Sequence, residues 1–578
     1  MGLLGITDAR KEGEAKAAMN FLEVIINNLE RTPEKVILSE VHESGLVSTS
    51  CRQLYEAVTQ VRSVLQEAGL QRGDRCALLA PNSSRWVALD LAIMAEGGIV
   101  VPLYARQSPA ELAAMMQDCA PKLLVCADEE LKQSIFSAWP DAPKTLLYDE
   151  MFPSDAGKQL GVRSPVPLSP DSPVAIIYTS GTSGDAKGVV LNVGNLTFMV
   201  QRTTARLDEL MAGVPKDGDD RVFHYLPFCF AGSWILLLTC LYRSNALMMS
   251  MDLNRLADEL KVATPHYLLN VPALLDRIRN GIVGQLRKKG GLALALFERG
   301  QVAWLARRNQ RGIANSFWLI LAKRLVFPKI RQHVGPNLVA LISGSAPLSE
   351  ETQLFFMMLG ISVLQVYGLT ETTAICTMDD VHDYSPGRVG PAISGIEMKA
   401  GENHEILVRG PNVFPGYWNR PETTAQVLKD GWFHTGDQGE ADEKGNWKIV
   451  GRLKDLIIPS SGHNISPEPI EQMVLSELPG AEHVMAVGNG RKFLSMIITG
   501  GNLSPDQIEA ALSSVNRTLP HYKQIRRFFH SAEPFTVENG LLTANRKLKR
   551  TLIEGHFRSE IESLYATSSD LERERVLQ

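Results

Sequence analysis

Val174-Ala-Ile-Ile-Tyr-Thr179, running on through Ser180-Gly181-Thr182-Ser183-Gly184-Asp185-Ala186 to Lys187-Gly188, is the stretch from which the rest of the chain can be read. A short β-branched run of this kind is a buried strand. The turn after it is rich in glycine, so backbone N–H groups can converge on an anion while hydroxyls and one lysine add donors. That is phosphate-handling chemistry. It is not a Walker A loop, because no Gly-Lys-Ser/Thr closes it and the G-x4-GK spacing is absent.

Outward from this loop, strand-length and helix-length segments alternate from about residue 20 to 345, as in CALLA then SRWVALDLAIMAEG and KLLVCA then EELKQSIFSAW. The alternation predicts α/β layers. From about 380 to 460 the texture changes to short strands and turns (HEILVRG, GWFHTGD, WKIVGRL), and about 455–578 shows two helical stretches around the strand pair HVMAVGNG and FLSMIITG. At 578 residues one core is insufficient. The expected architecture is therefore α/β: a large N-terminal domain, residues 1–452, of layered sheets and helices with a β-rich subdomain, and a small mobile α+β domain, residues 453–578.

The chain is 44% hydrophobic and 21% charged with a net charge of -5, an ordinary globular composition that points away from nucleic acid. Seven cysteines without a CxxC pair indicate neither a zinc cluster nor a disulfide framework, and fit a reducing cytoplasm. MGLLGITDARKEGEAK has no basic stretch before a long apolar run, and Ile6 stands where myristoylation needs Ser or Thr, so neither signal peptide nor lipid anchor is expected. Apolar runs such as WILLLTCLY fall short of a bilayer span. Between Arg287 and Arg331 eleven Lys or Arg accompany one acidic residue, Glu298, interleaved with LALALF and FWLILAKRLVF. This predicts a basic amphipathic helical insertion, about 285–332, that either packs on the large domain or makes peripheral membrane contact.

The string YTSGTSGDAKG is followed in order by Ser343-Gly-Ser-Ala-Pro347, Gln365-Val-Tyr-Gly-Leu-Thr-Glu-Thr372, Trp432-Phe-His-Thr-Gly-Asp437, Gly451-Arg-Leu-Lys-Asp455 and Leu541-Leu-Thr-Ala-Asn-Arg-Lys-Leu-Lys-Arg550. Over roughly residues 30–555 this series resembles the adenylate-forming superfamily, which includes acyl-CoA synthetases, peptide-synthetase adenylation domains and luciferases. The resemblance implies that Thr179, Ser180, Gly181, Thr182, Ser183, Gly184 and Lys187 handle phosphate. Gly344, Ser345, Gln365, Val366 and Gly368 would wall the adenine and acyl-adenylate pocket, with Tyr367 stacked on adenine. Thr370 would contact phosphate, and Glu371 would hold Mg²⁺ with Thr179, hard oxygens suiting a hard cation. Asp437 would accept from the ribose hydroxyls and Arg452 donate to ribose or phosphate, while Lys454 takes the interdomain hinge position. Lys547 becomes the lysine that reaches the site during adenylation, with Lys187 and Glu371 as its catalytic companions. Members often have Gly before that lysine, where this chain has Arg546. Lys549 and Arg550 read as a solvated basic run.

The family's substrate-gate segment aligns with Leu226-Pro-Phe-Cys-Phe-Ala-Gly-Ser-Trp234. Amino-acid-activating members carry aspartate where this chain has Ala231, which disfavours an α-amino acid. Phe230 replaces a common histidine, and Trp234 matches a gating tryptophan of some long-chain enzymes. Gly462 stands where CoA-using members let pantetheine pass close to backbone. The basic insertion and the LTANRKLKR ending look most like long-chain acyl-CoA synthetases. The expected reaction is activation of a medium- or long-chain fatty acid by MgATP to acyl-AMP, then acyl-CoA, with AMP and pyrophosphate released. Rivals are a ligase loading an acyl carrier protein, an enzyme diverting its adenylate to a product such as a lactone, and a non-catalytic nucleotide-binding protein on the same fold.

Overall fold

The computed structural model describes residues 19–152, 164–180, 186–215, 218–308, 316–543 and 546–566. Gly181, Thr182, Ser183, Gly184 and Arg311 lie outside the described residues, as does the side chain of Ser180.

Two sheets form the large α/β body. One has six strands in the order Thr145–Leu147, Leu123–Cys126, Arg75–Leu79, Ile99–Leu103, Pro173–Ser180, Ala186–Asn192, parallel except for the last hairpin. The other has eight, with Ser362–Tyr367, Ala340–Ser343, Tyr267–Asn270, Val222–His224 and Leu247–Ser250 parallel at its centre. Helix Ser84–Ala95 is capped by Ser83 Oγ, which accepts from Trp86 N at 3.1 Å. Every residue from Trp86 to Ala95 is buried, as expected of a helix apolar all round. With helix Ala231–Tyr242 it contributes to the largest core, around Trp86, Phe228, Trp234 and Tyr267. Parallel strands put their carboxyl ends together, and the loop after Thr179, Ser343 and Tyr367 all fall at such ends, where α/β folds place ligands.

The β-rich region is a separate sheet of Glu397–Ala400, Glu405–Arg409, Leu428–Lys429, Trp432–Ala441 and Trp447–Arg452. Beyond it, the expected strands His483–Val487 and Leu494–Thr499 pair, in antiparallel sense, and a third, Ile525–Ser531, adds parallel to the second. That third strand, IRRFFHS, is masked in sequence by its charged face. Helices Pro467–Glu477 and Pro505–Thr518 cover this sheet, and two hydrophobic clusters are built only from residues at 457 and beyond.

The basic insertion is helical: Pro272–Lys289, Gly291–Arg308, Ser316–Leu325 and Phe327–Val334. Leu296, Phe297, Ala303, Leu319 and Ala322 pack toward Leu341, Phe355 and Phe356 of the large body. Gly300 leaves no room for a Cβ against Ala322, so the middle two helices touch closely. The outer face keeps Leu292, Val302, Phe317 and Ile320 at 74, 60, 65 and 62% exposure. Among the described residues no helix is long and apolar enough to cross a membrane.

Candidate active site

The strands on either side of the glycine-rich segment pair antiparallel, in a register that sets Thr179 opposite Lys187. The second strand is stitched to a distant turn: Trp418 N donates to Gly188 O at 2.7 Å, and Val189 bridges to Tyr417. Gly188 is required there, since a Cβ would lie 2.7 Å from Ile176 Cγ2 and 3.3 Å from Trp418 Cβ. The stitch brings Tyr417 under the lysine, with Lys187 Nζ 5.4 Å from the ring centroid. Tyr417 OH in turn donates to Glu371 Oε1 at 2.8 Å. Burial pushes the Glu371 carboxyl up, against the hydrogen bond from Tyr417 and the charge of Arg452. Burial lowers Lys187, and the nearby Lys454 charge lowers it further while Glu371 opposes. A carboxylate and the Thr179 hydroxyl are hard oxygen donors at the phosphate end, so these residues fit a single Mg²⁺ held together with a nucleotide.

The second group of residues lies on the β-rich sheet. Asp437 and Arg452 are direct partners across antiparallel strands. Arg452 Nε stands 3.1 Å from Asp437 Oδ1, and Tyr367 OH donates to Asp437 Oδ2 at 2.9 Å. Asp437 N is fixed by Thr435 Oγ1 at 3.0 Å, and Gly436, at φ 70°, donates its N–H to Glu405 Oε1 at 2.9 Å. Burial raises the Asp437 carboxyl, opposed by Arg452, Tyr367 and Lys547. Tyr367 is itself carried by a constrained strand end. Gly344 packs on Val366, where a Cβ would lie 2.7 Å from Cγ2, and Gly368 has the backbone of Ala374 where a Cβ would stand. Ser345 adopts φ 73°, a strained conformation for a non-glycine residue. The Gln365 amide donates to Gln353 Oε1 (3.1 Å) and Arg388 O (2.9 Å), so this residue braces the strand rather than offering its amide to a ligand. Thr370 and Val366 are half-buried beside it.

Lys547, from the C-terminal region, lies near enough for its charge to act on Asp437. It is accessible to solvent, yet the protein around it lowers its ammonium, with Arg452 adding to the effect and Glu468, Asp437 and Asp455 opposing. It sits on a tight hairpin closed by a Leu542–Leu548 bridge and by Thr543 N donating to Lys547 O at 2.8 Å. Arg546 has φ 58°, which explains why glycine is favoured before the lysine. Lys549 and Arg550 are not a solvated run. Lys549 Nζ meets Glu111 Oε1 at 2.6 Å, and Arg550 grips both oxygens of Glu471 at 2.8 and 2.7 Å.

Other expectations meet the structure unevenly. Trp234 is wholly buried and its indole N–H donates to Asp90 Oδ2 at 2.9 Å, the arrangement of an anchored core residue rather than a swinging gate. Phe230 is half-buried and contacts the Tyr104 ring at 5.8 Å. Lys454 is exposed in the short turn Leu453–Asp455 directly after the clamp strand. Gly462 adopts φ 78° with open space beside it. All seven cysteines are free and buried. Tyr417, Glu111 and Tyr104 were missed by sequence reasoning, and only the aromatic pair after Pro415-Gly416 offered any local signal for the first.

The AMP-binding enzyme family matches residues 26–418, and the AMP-binding enzyme C-terminal domain matches 454–569. The chain is 28% identical to the long-chain-fatty-acid–CoA ligase FadD15 of Mycobacterium bovis, over 94% of this chain and 97% of that ligase. It is 25% identical to the chloroplastic long-chain-fatty-acid–[acyl-carrier-protein] ligase AEE15 of Arabidopsis thaliana, over 93% and 86%. ATP-bound MatB from Rhodopseudomonas palustris superposes with a TM-score of 0.70 at 25% identity, covering 93% of this chain and 99% of that one. Matched by these two models over most of its length, the chain belongs to the AMP-binding enzyme family of adenylate-forming ligases.

Proposed function

We propose that this enzyme activates a medium- or long-chain fatty acid as acyl-AMP and passes the acyl group to CoA. The observation that carries the reading is the buried Asp437 held by the Tyr367 hydroxyl and the Arg452 guanidinium, with the Lys547 charge acting on the same carboxyl. In the first half-reaction a carboxylate oxygen bonds to the α-phosphorus of ATP and the bond to pyrophosphate breaks. Both partners are anionic, so an ammonium and a guanidinium beside the ribose position offset the charge that builds as they meet. Mg²⁺, held by Glu371 and Thr179, would neutralise the departing pyrophosphate. In the second half-reaction the thiol sulfur bonds to the acyl carbon, AMP leaves, and the thiol proton is lost to solvent. Lys454, just beyond the clamp strand, is the proposed pivot between the two, which divides the chain near 452/453. For the acyl group, Ala231 withholds an anchor for an amino group, and the curated relatives named above act on long-chain fatty acids. Pyrophosphate release with acids of graded length, with and without CoA, tests the reading. If no carboxylate supports release, the chain is a nucleotide binder and the proposal fails.

The Arabidopsis relative favours one second reading, transfer to a carrier-protein thiol. Consumption of a phosphopantetheinylated carrier protein but not of CoA would select it.

The same proposal extends to where the substrate is met. Leu292, Val302, Phe317 and Ile320 are exposed beside Arg287, Lys288, Lys289, Arg307, Lys323 and Arg324. Exposed apolar side chains on helices that also expose several cations suit an anionic lipid surface, each cation adding about 1 kcal/mol near it. Co-sedimentation with anionic but not neutral vesicles, lost at high salt and on Arg287, Lys288, Lys289, Arg307 and Arg308→Gln, is expected. Binding indifferent to lipid charge, salt and these changes would leave the helices as packing elements.

A further inference from the structure

Three neighbouring cations at the end of one hairpin have three different environments. Lys547 acts on the clamp through its charge. Arg550 is bidentate on Glu471, whose Oε1 also accepts from Ala486 N at 2.7 Å, so this pair fixes the hairpin to its own small domain. Lys549, between them, pairs with Glu111, 438 residues away in the large body. Its own backbone N donates to Leu541 O at 3.0 Å, so the ammonium extends from a rigid base. Glu111 is equally well placed. It lies in the first turn of helix Pro109–Cys119, its N–H donating to the cap Ser108 Oγ at 3.3 Å, where the helix dipole favours a negative charge.

We infer that Lys549 is a positioning residue: its ion pair with Glu111 latches the hairpin onto the large domain and so holds Lys547 at the clamp for the first half-reaction. The inference rests on the two-step reading above. Its physical basis is lever geometry. Lys547 and Lys549 are two residues apart on a hairpin closed by the Leu542–Leu548 bridge, so fixing one end restrains the other. The latch is also releasable, because the Lys549 and Glu111 side chains keep 18 and 37% exposure and water can take over both charges when the small domain turns. A partly exposed pair contributes modestly, which is what a device that opens every cycle requires. Glu111 is held below the usual carboxylate range even though burial alone would raise it, because the hydrogen bond from Lys549 outweighs that effect with help from Gln107 and Ser108.

The test compares half-reactions: acid-dependent pyrophosphate release against thioester formation from supplied acyl-AMP and CoA. In Lys549→Met and in Glu111→Gln the ratio of the first rate to the second should fall about three- to fivefold, the size of a population shift from losing one such pair. The exchanged pair Lys549→Glu with Glu111→Lys should bring the ratio back to within about twofold of wild type. Arg550→Ala should instead lower both rates together by loosening the small domain. An unchanged ratio in both single variants, a parallel loss of both half-reactions, or no recovery in the exchanged pair would overturn the latch. If the wild-type enzyme releases no pyrophosphate with any acid, the two-step reading itself falls, an outcome distinct from active wild type with an unmoved ratio.

Discussion

Asp437 and Lys547 act on one another through their charges, but they are held by different means. Asp437 is set by strand register opposite Arg452, bonded to a tyrosine hydroxyl, tied through its own N–H to Thr435, and buried. Lys547 rides on a hairpin with one residue at positive φ, open to solvent, whose tie to the opposite side is the partly exposed pair Lys549–Glu111. The difference matches the tasks. In the proposed two-step reaction a nucleotide is bound in both halves, so groups that hold it gain from being preorganised. An ammonium needed in only one half-reaction gains from a mount that can leave.

Removing the mobile group should have the largest effect on rate. Lys547→Ala should slow adenylation by about 10²–10³ while largely sparing thioester formation from supplied acyl-AMP, because its charge is needed only when two anions meet. Stopped-flow pyrophosphate release and CoA consumption measure the halves separately. Equal loss in both would mean that Lys547 belongs to the fixed wall.

Removing the fixed group should act on binding. Asp437→Ala leaves the Tyr367 hydroxyl and the Arg452 guanidinium without their partner, and charged hydrogen bonds of this kind are worth about 2–3 kcal/mol, or roughly 30- to 150-fold in ATP affinity by calorimetry. The pH dependence carries a sign. Burial raises Asp437, so the ionised clamp is lost as pH falls, beginning above the ordinary carboxylate range, and ATP affinity should fall there. An Asp437→Ala enzyme with wild-type ATP affinity would dissociate the clamp from nucleotide binding.

How much of this was legible in sequence follows the same division. The α/β layers come from short-range signals, β-branched runs and glycine-rich turns, whereas the roles expected of Asp437 and Arg452 come from the resemblance of their motifs to a family. Tyr417 depends on a bridge to Val189, and Glu111 on a contact from Lys549, so neither has a local pattern. Lys549 looked like surface charge because a cation run carries no information about what faces it. Trp234 is ambiguous in sequence for a related reason. A tryptophan at a gate position and one anchored in a core have the same neighbours in sequence, and only Asp90, 144 residues away, separates them.

That correction can be tested against stability. Trp234→Phe opens space in the core and strands Asp90 Oδ2, which should cost about 2–4 kcal/mol with the acyl chain-length profile unchanged. Burial pushes the Asp90 carboxyl up from 3.8 to about 7, so the folded state prefers the neutral acid. The stability from that preference is fully present below about 4 and is lost as pH rises to about 7, where the folded group also ionises. Thermal melts should therefore decline over that window in wild type and flatten in Asp90→Asn. A shifted chain-length profile in Trp234→Phe without loss of stability would restore the gate.

The smallest effect is expected at Arg546, which separates the shape of the hairpin from its charge. At φ 58° an arginine side chain costs about 1 kcal/mol that glycine would not, while glycine gives back a similar amount through the freedom it restores to the unfolded chain. Arg546→Gly should therefore leave the melting temperature nearly unchanged and adenylation within about threefold of wild type. Arg546→Val, with a β-branched side chain at the same φ, should distort the hairpin and slow adenylation more than thioester transfer, because it displaces Lys547. Should Arg546→Gly slow adenylation as severely as Lys547→Ala, then Arg546, whose charge reaches Tyr104 beside Phe230, supplies part of the cationic field now assigned to its neighbour. The mobile wall would then work with two charges instead of one.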